Sequence, residues 1–207
     1  MRGRLRVNVD AFFSSLLFTP HISEFLSLYP ELSLEVIAKD QLGDLVVDGF
    51  DIAVRFGRPP ESSLVARKLL ETRMVAVASP AYVKAHGRPM IPSDLAKHVC
   101  IQVRDSLTGQ PIKIWRFRQR DKVAQVKIKG QLMVAEFGTL LGACIAGVGI
   151  ARVKAIGIRQ YIEQGALVEL LADWSGESFP LYAYYPSRQM LPAKVNAFID
   201  FIQTRVR

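Results

Sequence analysis

The chain has 207 residues, half of them hydrophobic, three histidines, two cysteines and a formal net charge of +8. That length holds one large domain or two small ones, and so apolar a composition excludes general disorder. No stretch approaches the ~20 apolar residues of a membrane span, and Met1 to Val7 carries charge but no apolar segment of signal-peptide length before Asp10, so a cytoplasmic chain with no membrane partner is expected.

In chain order, Leu5 to Val9 alternates as a strand does, and Phe12 to Leu28 places Leu16, Leu17, Ile22, Phe25, Leu26 and Leu28 at helical spacing. Ser14 and Ser15 stand near the start of that predicted helix, where a hydroxyl can cap free backbone N–H groups, with or without an anionic ligand. Tyr29-Pro30 ends it, and Leu32 to Ala38 reads as a second strand. Leu42, Leu45 and Val46 predict a short helix stopped at Gly49, after which Ile52-Ala53-Val54 is a buried parallel strand ending at Arg55-Phe56-Gly57. The resulting β-α-β-α-β order implies a largely parallel sheet covered by helices. In such sheets ligands bind outside the carboxyl ends of strands.

Ser63 to Ser79 breaks the pattern and reads as a long strand pair or as one strand passing into a new unit. Ser79-Pro80 caps a helix over 81–85, Pro89 to Asp94 is irregular, and Val99 to Val103 is a strand. Ile114 to Arg118 and Val123 to Ile128 are antiparallel partners around Gln119 to Lys122. The densest basic cluster, Arg116, Arg118, Arg120 and Lys122, alternates with uncharged residues; a solvated outer strand face is the preferred reading over a nucleic-acid groove. Glu136 to Ala146 is a helix with an apolar stripe, Gly147 to Ala151 leads into a strand, 158–162 is a short helix, and Gly165 to Leu171 and Phe179 to Tyr185 are strands. Pro192 opens a final amphipathic helix through Val195, Phe198, Ile199 and Ile202.

Little here points to catalysis. His21, His86 and His98 are isolated and read as surface or helix-end residues, no His or Cys pair has metal-ligand spacing, and no nucleophile motif occurs. The glycines at 147 and 149 follow a helix, whereas a dinucleotide fingerprint precedes one. Cys100 and Cys144 lie among apolar neighbours, as structural thiols do. No enzyme, no cofactor and no metal are expected.

Tyr29-Pro30-Glu31-Leu32-Ser33-Leu34-Glu35, Gly49-Phe50-Asp51-Ile52-Ala53-Val54-Arg55, Ser62 to Leu69 and Ala78-Ser79-Pro80-Ala81-Tyr82 resemble the effector-binding domain of LysR-type transcriptional regulators. So do Pro92-Ser93-Asp94-Leu95, His98-Val99-Cys100, Trp115-Arg116-Phe117, Ala146 to Ala151 and Val195 to Phe201, in order along nearly the whole chain. Two departures stand out. Arg152-Val153-Lys154 replaces the family's usual hydrophobic residue and Leu-Pro, and Asp10-Ala11-Phe12-Phe13 replaces its commoner proline and Phe-Gly pattern.

The resemblance implies an α/β fold of two Rossmann-like subdomains joined by two crossing hinge strands, like type 2 periplasmic binding proteins. Subdomain I would comprise residues 1–75 completed by 183–207, and subdomain II residues 76–182. It further implies a small-molecule effector in the cleft between subdomains, pairing as a homodimer or homotetramer, and DNA binding only through an amino-terminal winged helix-turn-helix that Met1 to Arg4 leaves no room for. A stand-alone solute-binding protein of the periplasmic type is the alternative, and the missing signal peptide argues against it.

For such a cleft the nominated effector-binding residues are Ala11, Phe12, Phe13 and Ser14 after the first strand and Arg55, Phe56 and Gly57 after the third. From the second subdomain they are Gln102 and Arg104 after the Val99 strand, and Ala135, Glu136 and Phe137 at the following helix start. Arg55 or Arg104 could grip a carboxylate in bidentate fashion, or be surface or ion-pair residues. Phe12 or Phe13 could stack on an aromatic ligand, or be plain core.

Overall fold

In the computed structural model, which describes residues 1–39, 43–57, 63–105, 108–174, 178–186 and 191–206, the chain forms two units, Met1–Glu71 with Phe179–Arg207, and Thr72–Ser178. The sequence reading placed the two crossings a few residues further along the same strands.

Unit 1 starts with three parallel strands, β1 (Gly3–Val9), β2 (Leu32–Ala38) and β3 (Ile52–Phe56). β1 lies in the middle, with Val7 opposite Val36 on one side and Ile52 on the other. Leu5, Val7, Val9 and the Ile52-Ala53-Val54 run are fully buried, as a strand covered on both faces requires.

The connection from β1 to β2 is not the single helix that the spacing of apolar residues predicts. A π-helical turn spans Phe13–Phe18, a 3-10 turn spans Thr19–His21, and the α-helix that follows, α1, is Ile22–Leu28. Pro20 is the cause: it has no N–H to donate back along an α-helix, and Thr19 instead bonds Ser14 O through its backbone N–H and through Oγ1 at 2.7 Å. Nor do Ser14 and Ser15 cap the start. Asp10 does, its Oδ1 accepting from Phe13 N–H at 3.1 Å, while Ser15 Oγ donates back to Ala11 O at 2.7 Å.

The helix predicted around Leu45 is also a correction: residues 45–49 form one capped turn, and Gln41 and Leu42 lie outside the described residues. Asp44 Oδ1 accepts from Val46 and Val47 N–H, at 2.9 and 3.1 Å. At the other end Gly49 N–H donates to Val46 O and Phe50 N–H to Leu45 O, with Gly49 at φ +68°. Both caps have the expected chemistry, but they stand too close for a second turn. Arg6 locks the turn to the sheet, donating to Asp48 O and Gly49 O at 2.9 Å each while its Nε donates to Glu35 at 2.9 Å. That pairing with Arg6, helped by Arg4, holds the Glu35 carboxyl below its ordinary range.

β4 (Val65–Ala78) is one uninterrupted strand that runs out of unit 1 and into unit 2. Ser79 Oγ then accepts from Tyr82 N–H at 3.2 Å and starts α2 (Pro80–His86). The segment expected to be irregular is a 3-10 turn, Pro92–Lys97, because Asp94 folds back to accept from Met90 and Ile91 N–H at 3.0 and 3.1 Å. Cys100 makes a single bridge to Ile150, and the strand proper is only β5 (Gln102–Val103). β6 (Ile114–Gln119) and β7 (Lys122–Lys127) form the predicted hairpin, with Arg120 at its tip at φ 52°.

β8 (Met133–Val134) pairs in parallel with β5 and leads into α3 (Phe137–Ile145). β9 (Ala151–Lys154), α4 (Arg159–Glu163) and β10 (Val168–Leu170) follow, β9 and β10 both antiparallel to the second half of β4. Arg152-Val153-Lys154 therefore continues as strand, with Val153 buried and a 3-10 turn after it. Leu140, Leu141 and Cys144 of α3 pack on Val75, Val77 and Ala151, while Trp115 and Phe117 join a second core cluster with Tyr82, Leu95 and Cys100. Burial pushes the Cys100 thiol up to about 12 and Cys144 up to about 11.

β11 (Ser178–Tyr185) and α5 (Ala193–Arg205) return to complete unit 1. β11 runs antiparallel to β3, and α5 brings Phe198 and Phe201 against Phe25, with ring centroids 5.6 and 5.1 Å apart. Phe18 joins at 5.2 Å from Phe198. Truncating any one of these enclosed rings to Ala would cost about 3–5 kcal/mol.

Candidate functional site

Parallel strands deliver their carboxyl ends to the same edge of a sheet. In unit 1 this brings Ala11 to Ser14 beside Arg55 to Gly57, and Asp10 N–H donates to Val54 O at 3.0 Å across the gap. Ala11 is exposed and Ser14 half-buried. Phe12 meets Phe56 edge-on at 5.6 Å, and Phe56 stacks on Phe179 at 6.2 Å. Phe13 is fully enclosed and stacked on Phe18 at 5.9 Å, so its ring is core. Gly57, at φ +105°, donates its N–H to Pro180 O at 2.9 Å.

Arg55 does not project from the strand end. Its guanidinium turns back over the sheet, bonding Asn8 Oδ1 and, at 3.4 Å, Val54 O. Both Arg55 and Asn8 are buried. Tyr182 lies directly across from Arg55 and Tyr184 across from Ala53, so two tyrosines share this face with the guanidinium. Burial pushes the Tyr184 hydroxyl up to about 12, with neighbouring Tyr182 adding to the shift and Arg55 opposing it.

In unit 2 the parallel pair β5–β8 does the same on a smaller scale. Arg104 N–H donates to Val134 O at 2.8 Å, which sets Arg104 beside Ala135. The Gln102 amide donates to Gly130 O at 2.9 Å, and the exposed Arg104 guanidinium donates to Gly109 O at 3.0 Å. Glu136 is the N-cap of α3: its carboxylate accepts from Gly138 N–H at 2.7 Å and from Thr139 N–H. A hydrogen bond with the Thr139 side chain, reinforced by these two, holds it below the usual carboxylate range. The positive end of that helix is thus already occupied by the chain's own anion. Phe137 is half-buried against the α3 core.

The LysR substrate binding domain profile matches residues 1–207. The chain belongs to that family. LysR-type relatives include an HTH-type transcriptional regulator of Escherichia coli K12, YhjC, 33% identical over 97% of this chain and 67% of its own length. PtxR of Pseudomonas aeruginosa is 31% identical over 97% of this chain and 64% of its length. The chain thus spans about two thirds of the relatives it matches. Among solved structures, the regulatory domain of CrgA from Neisseria meningitidis superposes with a TM-score of 0.88 at 25% identity, covering both chains fully. Full-length AphB, a Vibrio cholerae virulence activator, gives 0.84 at 27% identity over all of this chain and 69% of that one. The LysR-type chain accordingly has the two-subdomain, periplasmic-binding-like fold of these regulatory domains.

Within this LysR-type domain, sequence reasoning missed Asn8, Asp10, Tyr182 and Tyr184. Asn8 had a weak signal: it stands between Val7 and Val9 near the carboxyl end of a strand, where a buried polar side chain must find a partner. Among the described residues no group of three His, Cys, Asp or Glu could hold a metal ion, and no helix is long and apolar enough to cross a membrane. The three histidines do stand at helix ends, but His98 is buried against Tyr82, not on the surface.

Proposed function

We propose that this chain is the effector-sensing part of a LysR-type regulator, acting without catalysis in the cytoplasm. The candidate contacts for a small molecule are Ala11, Phe12, Ser14, Phe56 and Gly57 in unit 1, and Gln102, Arg104 and Ala135 to Phe137 in unit 2. Arg55 acts from beneath, by holding Asn8 and the end of β3 in place, and Phe13 supports from the core. The observation that carries this reading is that each unit, by itself, gathers its nominated residues at the carboxyl ends of a parallel strand pair. Ligand stabilises whichever conformation of the chain binds it better. A coupling of ~1–3 kcal/mol then changes operator affinity by about 5- to 150-fold when a DNA reader is attached. The chain works as a homodimer or homotetramer, DNA is touched through the regulator's helix-turn-helix, and the names of the relatives YhjC and PtxR, both transcriptional regulators, favour this reading over transport.

The test is a thermal-shift screen of the chain against small metabolites, followed by calorimetric titration of any hit. Ser14→Ala combined with Arg104→Ala is expected to weaken a true effector by about tenfold or more. Unchanged affinity in the double variant would remove these residues from the site, while a hit that is turned over chemically would overturn the non-catalytic reading.

A further inference from the structure

The charge of this chain is not spread over it. Between Lys113 and Lys129 seven residues are Lys or Arg and one, Asp121, is acidic, so this segment holds a net +6 of the chain's +8. The segment is the β6–β7 hairpin, wholly inside unit 2. Its two faces differ sharply. Trp115, Phe117 and Val126 point into the core and are buried. On the other face, Arg116 stands opposite Gln125, Ile114 opposite Lys127 and Arg118 opposite Val123, and all six are exposed.

The sequence alone reads this as an ordinary solvated strand face. The structure adds that the ribbon is paired along its length and held from one side. Arg152 of β9 braces it from below, donating to Arg116 O at 3.1 Å with its guanidinium 5.8 Å from the Phe117 ring. Lys113, Arg120, Lys122, Lys127 and Lys129 are all exposed, and none of them is in an ion pair with another described residue. Along a strand, side chains on one face recur about every 7 Å, so Arg116 and Arg118 repeat on the scale of successive phosphates in a nucleic-acid strand. A pre-ordered row of cations loses little backbone entropy on meeting a polyanion.

We infer that the outer face of this hairpin binds the phosphate backbone of duplex DNA, without reading base sequence. This rests on the regulator reading above, which makes duplex DNA the polyanion such a protein meets. Phosphate contacts of this kind position a protein on the duplex and carry no sequence information themselves.

The test uses this chain and a fluorescein-labelled duplex of arbitrary sequence, followed by anisotropy across a salt series. Wild type is expected to bind at low salt, with affinity falling linearly on a double-logarithmic plot. Arg116→Gln, Arg118→Gln and Lys127→Gln together should make that slope shallower by about 2 to 3 and lower the affinity by about tenfold or more. A control triple with the same charge change, Arg2→Gln, Lys84→Gln and Lys97→Gln, should leave both nearly as in wild type. No binding at low salt, equal losses in the two triples, or binding to polyglutamate in preference to the duplex would each overturn the assignment. The effector screen is unaffected by any of these results, so a failure here leaves the sensing role standing and can be told apart from its failure.

Discussion

Tyr82 and His98, on either side of the Pro92–Lys97 turn, meet in the interior of unit 2 with the tyrosine hydroxyl 3.3 Å from Nδ1 of the imidazole. The same hydroxyl accepts from Val99 N–H at 3.0 Å, and the ring of Tyr82 packs on His86 at 4.5 Å. Burial lowers the affinity of His98 for a proton, and His86 lowers it further, against a smaller opposing pull from Asp94. Below the ordinary histidine range, near 6.5, the unfolded chain binds a proton that the folded one resists. The unfolded state then holds more protons, so stability declines as pH falls through that range and is recovered above it. Thermal melts from pH 7.5 to 5 should show this decline, and His98→Asn should flatten it; an unchanged slope in that variant would assign the effect to other groups.

The two thiols are expected to be silent in the folded chain. With Cys100 and Cys144 fully buried and their pKa values raised to about 12 and about 11, almost no thiolate is present at neutral pH. Ellman's reagent should count no reactive thiol in native buffer and two in denaturant. A thiol that reacts within minutes in the folded state would contradict the packing of that residue.

Two glycine substitutions should have opposite signs. A Cβ on Gly130 would lie 2.0 Å from Cys100 O, with no side chain to move aside. Gly130→Ala should therefore destabilise by about 2–3 kcal/mol. Gly142, inside α3, has nothing within 4 Å of such a Cβ, and Gly142→Ala should stabilise by about 0.5–1 kcal/mol. Urea unfolding of both variants measures the contrast directly.

Losing the Asp10 cap should cost about 1 kcal/mol, because Phe13 N–H then has no acceptor at the mouth of β1. Asp10→Ser, which keeps a short acceptor, should recover most of it. If Asp10→Ala and Asp10→Ser melt alike, the carboxylate serves some purpose other than capping.

Strands were the legible part of this fold. The alternating Leu5, Val7 and Val9 and the wholly apolar Ile52-Ala53-Val54 are all buried in strands where the pattern put them, and the Ser79-Pro80 start of α2 follows from local chemistry alone. Helix length was less legible. Spacing marks which residues face the core but not how many turns connect them, so Pro20 splits one predicted helix and the pair Asp44 and Gly49 reduces another to a turn. In the candidate site, position along the chain was readable and side-chain direction was not. Whether Arg55 reaches outward or folds back depends on Asn8, 47 residues earlier, and on a strand register that no local pattern encodes.

The return of β11 and α5 to unit 1 sets an order of events during synthesis. Unit 2 is a continuous stretch of chain and can fold as soon as it emerges, whereas Phe18 and Phe25 leave the ribosome about 180 residues before Phe198 and Phe201 exist to cover them. At ~5–20 residues per second this leaves the aromatic face of the first half-domain uncovered for about 10–35 s. Nascent chains of this protein should consequently be held by chaperones longest while unit 2 is being made, and release should coincide with the appearance of the last helix.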